Sequence, residues 1–437
     1  MSFKPSPENP VLQLALDFPD LDRAVEVAEE ALRGGVDWIE AGTPLIKSEG
    51  LNAVRTLKKR FPGKVIVADM KTMDTGAAEV ELAAKAGADV VIVLGVADDS
   101  TIREAVEAGR RYGARLMVDL INVYDPVSRA KQLEEMGVDY ICVHVGIDQQ
   151  MRGMDPLDLL AKIVREVEVP IAIAGGINSE TAAKAVELGA SIVVVGGAII
   201  KAEDAEGAAR AIKQAMLSRK PIETKLYKKY REEELYEVFM KVSTPNISDA
   251  LQRKGEMKGI KPITPGAKMA GRAFTVRTYP GDWAKPVEAI DYAPPGSVIV
   301  IDAAGGDKAV WGELATWSCV VKGVRGVVID GAIRDVDEIR ALGFPAFARH
   351  INPTAGDPKG FGELNVEITC GGVKVRPGDW VIGDDNGVVV VPQELAVEIA
   401  NRAMDVLEKE NRIREEIKRG STLSQVLRLY KWEKVIG

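Results

Sequence analysis

Along the first half of the chain, short apolar runs alternate with longer segments whose apolar residues have the spacing of amphipathic helices. Runs that are apolar throughout are typical of parallel strands, which are buried on both faces. Eight such strands alternating with helices favour a closed (β/α)8 barrel over an open doubly wound sheet. The predicted strands cover residues 11–17, 36–42, 64–71, 88–95, 114–120, 138–146, 169–176 and 190–197.

The pattern changes after the predicted barrel. Residues 217–240 are rich in charge, contain an early proline and then read as a helix, which indicates a charged helical linker. Short strands between turns rich in proline and glycine then predict a layered α/β domain. The chain ends with a long helix of mixed charge over residues 394–420, typical of a capping helix or an oligomer contact. The predicted organisation is a barrel in residues 1–216, a linker in 217–240 and a second domain in 241–437.

The amino-acid composition and net charge exclude several classes of protein. The chain has 437 residues, of which 46% are hydrophobic, so it can bury two cores. A net charge of −8 gives no basic surface for nucleic acid or anionic membrane. Its three cysteines are far apart, which argues against a disulfide scaffold or a zinc-thiolate site. The sequence shows no signal-like or bilayer-length apolar run, so we expect a soluble, cytoplasmic protein without nucleic-acid or membrane partners.

Polar residues stand at the ends of most predicted barrel strands. In this fold, catalytic residues lie at the carboxyl ends of the strands. A charge inside an apolar run costs several kcal/mol unless it is paired or bound to a metal, so these residues are candidates for function. A structural role in the core stays open for Asp17, Asp119 and His144. The polar strand ends are Asp17, Glu40, Asp69 with Lys71, Asp119 and His144.

The last two predicted strands each end in a glycine pair, Gly175–Gly176 and Gly196–Gly197. A glycine pair lets the backbone approach an anion closely, and the following turn offers N–H groups to it. Loops after the seventh and eighth strands are the usual phosphate site of such barrels. The pairs therefore predict a phosphate site, with ordinary turn glycines as the alternative.

Residues 69–74, with the sequence DMKTMD, are the sharpest local signal. Asp69 and Lys71 share a strand face by the period of two, which would place a carboxylate beside an ammonium group. Glu40 ends the neighbouring strand, and two carboxylates can hold Mg²⁺ or Mn²⁺. A cation and Lys71 together would stabilise an enediolate. His144 could move a proton at neutral pH.

Four of these segments resemble the 3-hexulose-6-phosphate synthase family of the orotidine monophosphate decarboxylase superfamily. They are Asp17, residues 40–50, residues 69–74 and residues 143–150. The resemblance implies Mg²⁺-dependent aldol condensation of formaldehyde with D-ribulose 5-phosphate through an enediolate. The product would be D-arabino-3-hexulose 6-phosphate, and the reverse cleavage is also implied. It further implies a barrel dimer in which Asp74 reaches into the neighbouring subunit's site.

The same resemblance assigns roles to individual residues. It implies metal ligands at Glu40 and Asp69, enediolate stabilisation by Lys71, substrate contact by Asp17, proton transfer by His144 and phosphate-binding amides at Gly176, Gly196 and Gly197. Orotidine monophosphate decarboxylases carry lysine at the position of Glu40, which argues against that activity. Ketogulonate-phosphate decarboxylases carry arginine shortly after the sixth-strand histidine, where this chain has residues 146–148, GID. A decarboxylase or epimerase-like barrel that uses the same enediolate stays as the alternative.

The second domain has its own cluster of polar residues. Arg334 beside Asp335 would suit a carboxylate substrate and a divalent metal. Backbone amides of the turn at residues 311–314, which ends at Leu314, could receive a carboxylate or enolate oxygen. Glu313 and Glu338 complete the candidate set. A surface salt bridge between Arg334 and Asp335 is the alternative.

Residues 243–251, 305–314 and 331–339 resemble the RraA-like family. That family includes 4-hydroxy-4-methyl-2-oxoglutarate aldolases and a protein inhibitor of ribonuclease E, so a pyruvate-type class II aldolase and a non-catalytic regulatory module both stay open. Glu313 stands where the aldolases commonly carry aspartate. The resemblance implies trimers with the site between subunits. A barrel dimer and a trimer in one chain would favour a homo-hexamer.

Overall fold

The eight apolar runs of the first half form eight parallel strands whose residues are almost all buried. The computed structural model describes residues 5–224 and 227–429. The strands hydrogen-bond in chain order and close on themselves, the last strand against the first, so the predicted (β/α)8 barrel is confirmed. They are β1 (Val11–Leu16), β2 (Trp38–Ala41), β3 (Val65–Thr72), β4 (Val90–Leu94), β5 (Arg115–Asp119), β6 (Tyr140–His144), β7 (Ile171–Ala174) and β8 (Ile192–Val195).

Helices surround this barrel, and the longer ones pack one apolar face against it. The first of them shows the pattern: the side chain of Asp20 accepts a hydrogen bond from Arg23 N at 2.9 Å, and Gly34 ends the helix. The helices are α1 (Leu21–Arg33), α2 (Thr43–Glu49), α3 (Asn52–Arg60), α4 (Gly76–Ala86), α5 (Asp99–Tyr112), α6 (Pro126–Met136), α7 (Ile147–Met151), α8 (Leu157–Ile163), α9 (Thr181–Glu187), α10 (Gly197–Ile200) and α11 (Ala205–Ser218).

The barrel has two apolar layers. One fills the interior of the strands, where Trp38 and Tyr140 meet edge to face with ring centroids 5.7 Å apart. The other lies between the strands and the helices. A barrel whose interior is filled with side chains is a rigid support rather than a pore, so function is confined to its rim.

The chain divides into two compact units, one comprising residues up to Lys229 together with those from Glu408, the other Tyr230–Leu407. Within the segment predicted as a helical linker, residues 220–224 and 227–231 are not helical. Pro221 lacks the N–H that a helix needs, and Arg219 ends α11 with a left-handed backbone. Residues 225–226 of the predicted linker lie outside the described residues. Helical structure resumes with a 3-10 turn at Glu232–Glu234 and α12 (Leu235–Lys241).

The second unit is built on a mixed sheet with helices. Its strands are β9 (Lys261–Pro262), β10 (Met269–Thr278), β11 (Val298–Asp302), β12 (Gly326–Ile333), β13 (Ala346–Ile351), β14 (Gly362–Leu364), β15 (Ile368–Cys370), β16 (Val373–Val375), β17 (Trp380–Asp384) and β18 (Gly387–Val391). The sheet has the order β18-β17-β10-β11-β12-β13-β9, with β14 also paired to β10, and β15 and β16 form a separate hairpin. The predicted layered α/β class is confirmed.

The remaining helices follow the order of the chain. They are α13 (Thr244–Ala250), α14 (Ala284–Tyr292), α15 (Glu313–Lys322), α16 (Val336–Ala341), α17 (Ala396–Lys418) and α18 (Leu423–Leu427), with a 3-10 turn at Gln393–Leu395. The long C-terminal helix predicted from the charge pattern corresponds to α17. Across residues 5–224 and 227–429, we find no helix with the length and apolar character needed to span a membrane.

Candidate active site at the barrel mouth

The end of β3 is irregular, and this irregularity places Lys71. Asp69 pairs with Ile92 of β4, but the next pair joins Thr72 to Val93, so the strand bulges between them. Lys71 lies in this bulge with a left-handed φ of 46°. The contact between Asp69 and Lys71 was predicted from the regular alternation of side chains along a strand, and that reason is therefore wrong. Lys71 Nζ nevertheless lies 2.9 Å from Asp69 Oδ2, because the bulge turns the lysine toward the barrel mouth.

A chain of charged hydrogen bonds continues from Lys71 across two more strands. Lys71 Nζ lies 3.3 Å from Asp119 Oδ2 at the end of β5, and the same oxygen lies 2.8 Å from His144 Nδ1 at the end of β6. Burial alone would lower the pKa of Lys71, but Asp69 and Asp119 raise it, so the lysine is a fixed cation at neutral pH. Burial would raise the pKa of Asp119, but His144 and Lys71 hold it below its ordinary value.

Two further carboxylates lie at the ends of β1 and β2. Glu40 is buried and accepts a hydrogen bond from Gln13 Nε2 at 2.5 Å. Burial, followed by the negative charges of Asp69 and Asp17, raises the pKa of Glu40 well above its usual range. Asp17 is exposed at the mouth, but the surrounding protein wall removes enough water to raise its pKa, and Asp69 raises it further. The site therefore concentrates negative charge that a cation would relieve.

Asp69 has one oxygen that fits a metal ligand. Its Oδ2 accepts hydrogen bonds from Thr43 Oγ1 at 2.8 Å and from Lys71, whereas its Oδ1 is buried without a hydrogen-bond partner. Among the described residues, no three or more His, Cys, Asp or Glu side chains are grouped so as to hold an ion. Mg²⁺ needs only one or two carboxylates when substrate and water supply its other oxygen ligands. Glu40 and Asp69 fit that kind of site.

The glycine pairs lie on the same rim. Gly175 has a φ of +106°, and a Cβ there would lie 2.3 Å from the carbonyl oxygen of Val145, so a larger residue would displace the loop. Gln150 Nε2 donates to that carbonyl at 2.7 Å and lies beside Gly175 and Gly176. A Cβ on Gly196 would lie 3.3 Å from Asp17 Oδ2, so the loop after β8 runs next to the carboxylates.

Asp74 is placed differently from the other predicted residues. Its side chain is exposed, and its Oδ1 accepts a hydrogen bond from the backbone N–H of Thr75 at 2.7 Å. This contact is local, and it does not connect Asp74 to the chain of hydrogen bonds around Lys71. Its role in a neighbouring subunit's site stays a prediction.

In the second unit, the structure brings Arg334, Asp335 and Glu313 together. Arg334 Nε lies 3.5 Å from Asp335 Oδ2, and the backbone N–H of Glu313 donates to the same oxygen at 3.2 Å. Both side chains of the pair are exposed, as is that of Glu338 on α16. Leu314 is 78% exposed at the start of α15. This cluster is an open surface site rather than an enclosed pocket.

Sequence reasoning missed several polar residues that support these sites. Thr43 and Gln13 hold the two candidate metal ligands, and Gln150 lies against the glycine loop after β7. In the second unit, Asp330 is buried, lies 2.5 Å from Arg349 Nε and accepts from the backbone N–H of Gly371 at 2.7 Å. A charged or amide residue inside an apolar strand was the available signal for Gln13 and Asp330.

Comparison with known proteins agrees with the division into two units. Residues 10–212 match the family model for orotidine 5'-phosphate decarboxylase / HUMPS, and residues 244–390 match the Aldolase/RraA model. A 3-hexulose-6-phosphate synthase from Bacillus subtilis is 42% identical over 207 residues, which is 47% of this chain and 98% of the relative. One from Mycobacterium gastri is 40% identical over 205 residues, 47% of this chain and 99% of the relative.

An uncharacterized protein of Methanocaldococcus jannaschii is 46% identical over 191 residues, which is 43% of this chain and 90% of the relative. The matches to these proteins cover nearly the whole of each relative, so the likeness is not confined to a short motif. Over its barrel, the chain therefore belongs to the 3-hexulose-6-phosphate synthase family of aldehyde-lyases, joined to an RraA-like domain.

Proposed function

We propose that the barrel catalyses the aldol condensation of formaldehyde with D-ribulose 5-phosphate, giving D-arabino-3-hexulose 6-phosphate, and the reverse cleavage. The observation that carries this proposal is the chain of hydrogen bonds from Asp69 through Lys71 and Asp119 to His144. It combines a fixed cation with a group able to move a proton at neutral pH. The relatives named for this activity, matched over the whole barrel, support the same reaction.

In the first step, a proton leaves C1 of the substrate, next to the C2 carbonyl, and its electron pair forms an enediolate. His144 accepts this proton: its Nδ1 is held by Asp119, which leaves Nε2 for the substrate. The ammonium group of Lys71 offsets the negative charge that develops on the substrate oxygen. C1 then attacks the carbon of formaldehyde, and the resulting alkoxide takes the proton back from His144, which restores the neutral imidazole. The reverse cleavage uses the same groups in the opposite order.

Glu40 and Asp69 would hold Mg²⁺ or Mn²⁺, which when bound supplies further stabilisation of negative charge on the substrate. Asp17 is exposed at the mouth, where it can accept hydrogen bonds from substrate hydroxyl groups. Backbone N–H groups of the two glycine loops would bind the phosphate. These assignments would give the reacting carbon, the hydroxyl groups and the phosphate of the substrate partners on the rim of the barrel.

The decisive experiment measures formaldehyde consumption with ribulose 5-phosphate, with and without Mg²⁺, by the wild type and by Asp69→Ala. We expect metal-dependent consumption that the substitution abolishes. Asp337→Ala is the matched control, because that carboxylate is exposed in the second unit. If folded, metal-loaded wild type consumes no formaldehyde, the assignment is wrong. The same site must then be tested for decarboxylation of 3-keto-L-gulonate 6-phosphate.

For the second unit, we propose a binding site for a 2-oxo acid with a divalent metal, of the pyruvate-type class II aldolase kind. The pairing of Arg334 with Asp335, both open to solvent, supports it, because guanidinium binds carboxylate in a bidentate manner. The test is metal-dependent exchange of the methyl protons of pyruvate in D₂O, compared with Arg334→Met. Exchange that Arg334→Met abolishes would support the aldolase type. Absence of exchange by the wild type would favour a non-catalytic, ribonuclease-regulator-like binding module.

A further inference from the structure

The chain does not stop where the barrel family stops. The family model ends at residue 212, and the B. subtilis relative is matched over 98% of its length by 207 residues. Residues 220–224 and 227–229, here called the connecting segment, are therefore additional to the barrel. The structure shows where this addition runs.

The connecting segment is fixed to the loop that follows the glycine pair of β7. Ile222 and Ser179 exchange two hydrogen bonds: Ile222 N donates to Ser179 O at 3.2 Å, and Ser179 Oγ donates to Ile222 O at 2.7 Å. Asn178 Nδ2 donates to the carbonyl oxygen of Tyr227 at 3.2 Å. The segment is thus held at the edge of the barrel mouth where the phosphate is expected.

Tyr227 also reaches the second glycine loop. Its side chain is buried, and a Cβ added to Gly197 would lie 2.1 Å from the phenol oxygen, so the hydroxyl touches the backbone of that glycine. The backbone of Tyr227 has a left-handed φ of 61°, and its N–H donates to Glu408 Oε1 at 2.8 Å. A non-glycine residue in this conformation costs free energy, and such strain is concentrated at functional sites.

The ammonium groups of two lysines lie close to the ring of Tyr227. Lys201 Nζ, from the end of the β8 loop, lies 5.1 Å from the ring centroid, and Lys229 Nζ lies 5.4 Å from it. Lys229 Nζ also lies 4.0 Å from Met151 Sδ, on the helix that follows the strand of His144. Lys201 is close enough to Asp17 to interact with it electrostatically. Positive charge is therefore concentrated beside the glycine loops.

We propose that Tyr227, Lys201 and Lys229 form part of the phosphate subsite of the barrel, so that the connecting segment completes a site the barrel alone would leave more open. Neutral backbone N–H groups orient a phosphate, but they do not match its charge of −1.5 to −2 near neutral pH. The two ammonium groups supply that charge, and the phenol hydroxyl donates to a phosphate oxygen. This proposal rests on the proposed function only in that the substrate carries a phosphate group.

The test uses the full chain and inorganic phosphate as the probe, titrated by calorimetry. We expect Lys201→Gln and Lys229→Gln each to weaken phosphate binding about tenfold, and Tyr227→Phe about threefold, because each removes a hydrogen bond to a charged group. Lys228→Gln is the matched control within the same segment, since Lys228 pairs with Glu180 at 3.0 Å. Its phosphate affinity should stay within about twofold of wild type.

Kinetics then separate binding from folding. The KM for ribulose 5-phosphate should rise by the same factors, whereas kcat and the KM for formaldehyde should not change. A fall in kcat and in the thermal midpoint without loss of phosphate affinity would indicate a structural role and overturn the proposal. Tighter phosphate binding by Tyr227→Phe would also overturn it, because the phenol would then occupy the phosphate position. Phosphate binding without formaldehyde consumption by wild type would contradict the proposed function but leave this subsite intact.

Discussion

The barrel and the second unit each place a charged pair at the end of an irregular strand, but only the barrel surrounds it. In β3 the register shifts between Asp69 and Thr72, and Lys71 is left-handed; β12 shifts its register against β13, and Asp335 beyond it is left-handed too. The side chain of Asp119 is 3% exposed and that of Asp335 is 39% exposed. The same backbone feature, a register shift accompanied by a left-handed residue, therefore occurs beside a buried carboxylate in the barrel and an exposed one in the second unit.

This difference decides how much each charged pair can do by itself. The ion pairs of Lys71 are protected from solvent and joined through Asp119 to His144, so their geometry is set before substrate arrives. An exposed pair such as Arg334–Asp335 contributes about 0–1 kcal/mol and is screened by salt. The charged groups of the barrel site are joined by hydrogen bonds, whereas the pair of the second site is open to solvent.

The largest expected effect is on the rate of formaldehyde consumption, which should respond to a substitution in the barrel and not to one in the second unit. Lys71→Met should lower kcat for formaldehyde consumption about 10²–10³-fold, because a fixed cation at the developing negative charge is lost. Arg334→Met should leave this reaction unchanged, since it lies in the other unit. Steady-state kinetics of both variants at saturating Mg²⁺ make the comparison. Equal losses in the two variants would contradict independent sites.

A second prediction concerns subunits of the barrel. If Asp74 completes a neighbour's site, mixing inactive Asp74→Ala with inactive Lys71→Met by joint refolding should restore about a quarter of wild-type activity, because random pairing leaves one intact site in half of the dimers. Sedimentation of the wild type should show a homo-oligomer, with a hexamer expected from dimer and trimer contacts together. A stable monomer, or no restored activity, would remove the shared-site role of Asp74.

A smaller effect is expected on the free energy of unfolding, for which we compare the substitution of one carboxylate in each unit. In the presence of a chelator at neutral pH, Glu40→Gln should raise the free energy of unfolding by about 1 kcal/mol, because the raised pKa of Glu40 means that its ionised form is costly when buried. The new amide can also donate to Gln13 Oε1, which has no hydrogen-bond partner. Asp335→Asn should change stability by less than about 0.5 kcal/mol, since that carboxylate is half exposed.

Denaturant titration of the two variants checks this prediction, and adding Mg²⁺ sharpens it. Because a ligand that binds only the folded state stabilises it, Mg²⁺ should raise the thermal midpoint of the wild type and not that of Glu40→Gln. Equal stabilisation of both proteins by Mg²⁺ would place the cation elsewhere.

The last prediction concerns the cysteines of both units, which we expect not to react in the native protein. Burial raises the pKa of Cys319 to about 12 and holds the pKa values of Cys142 and Cys370 well above the usual range. At pH 8 the native protein should therefore react with a thiol-specific disulfide reagent at none of its three cysteines, and at all three after unfolding. A native thiol that reacts would identify, by peptide mapping, which unit opens locally.

Much of the fold could be predicted because burial on both faces leaves a continuous apolar signal in each strand. Seven of the eight barrel strands fall within the predicted runs, and β3 extends one residue beyond its run, to Thr72. The polar strand ends already contained Glu40, Asp69, Lys71, Asp119 and His144. The linker was predicted less well. The charge pattern predicted a helix after the early proline, but residues 222–224 and 227–231 are not helical, and helical structure resumes only at Glu232.

The sequence by itself determined which residues reach the rim of the barrel, since hydrophobic periodicity records local burial along each strand. The tertiary structure alone decided which of them meet. Lys71 contacts Asp119, 48 residues away, through a bulge that no periodicity encodes, and Tyr227 returns to Gly197 from beyond the barrel. Such contacts depend on closure of the sheet and on the paths of loops. A local pattern holds no information about either, because both arise from packing between distant segments.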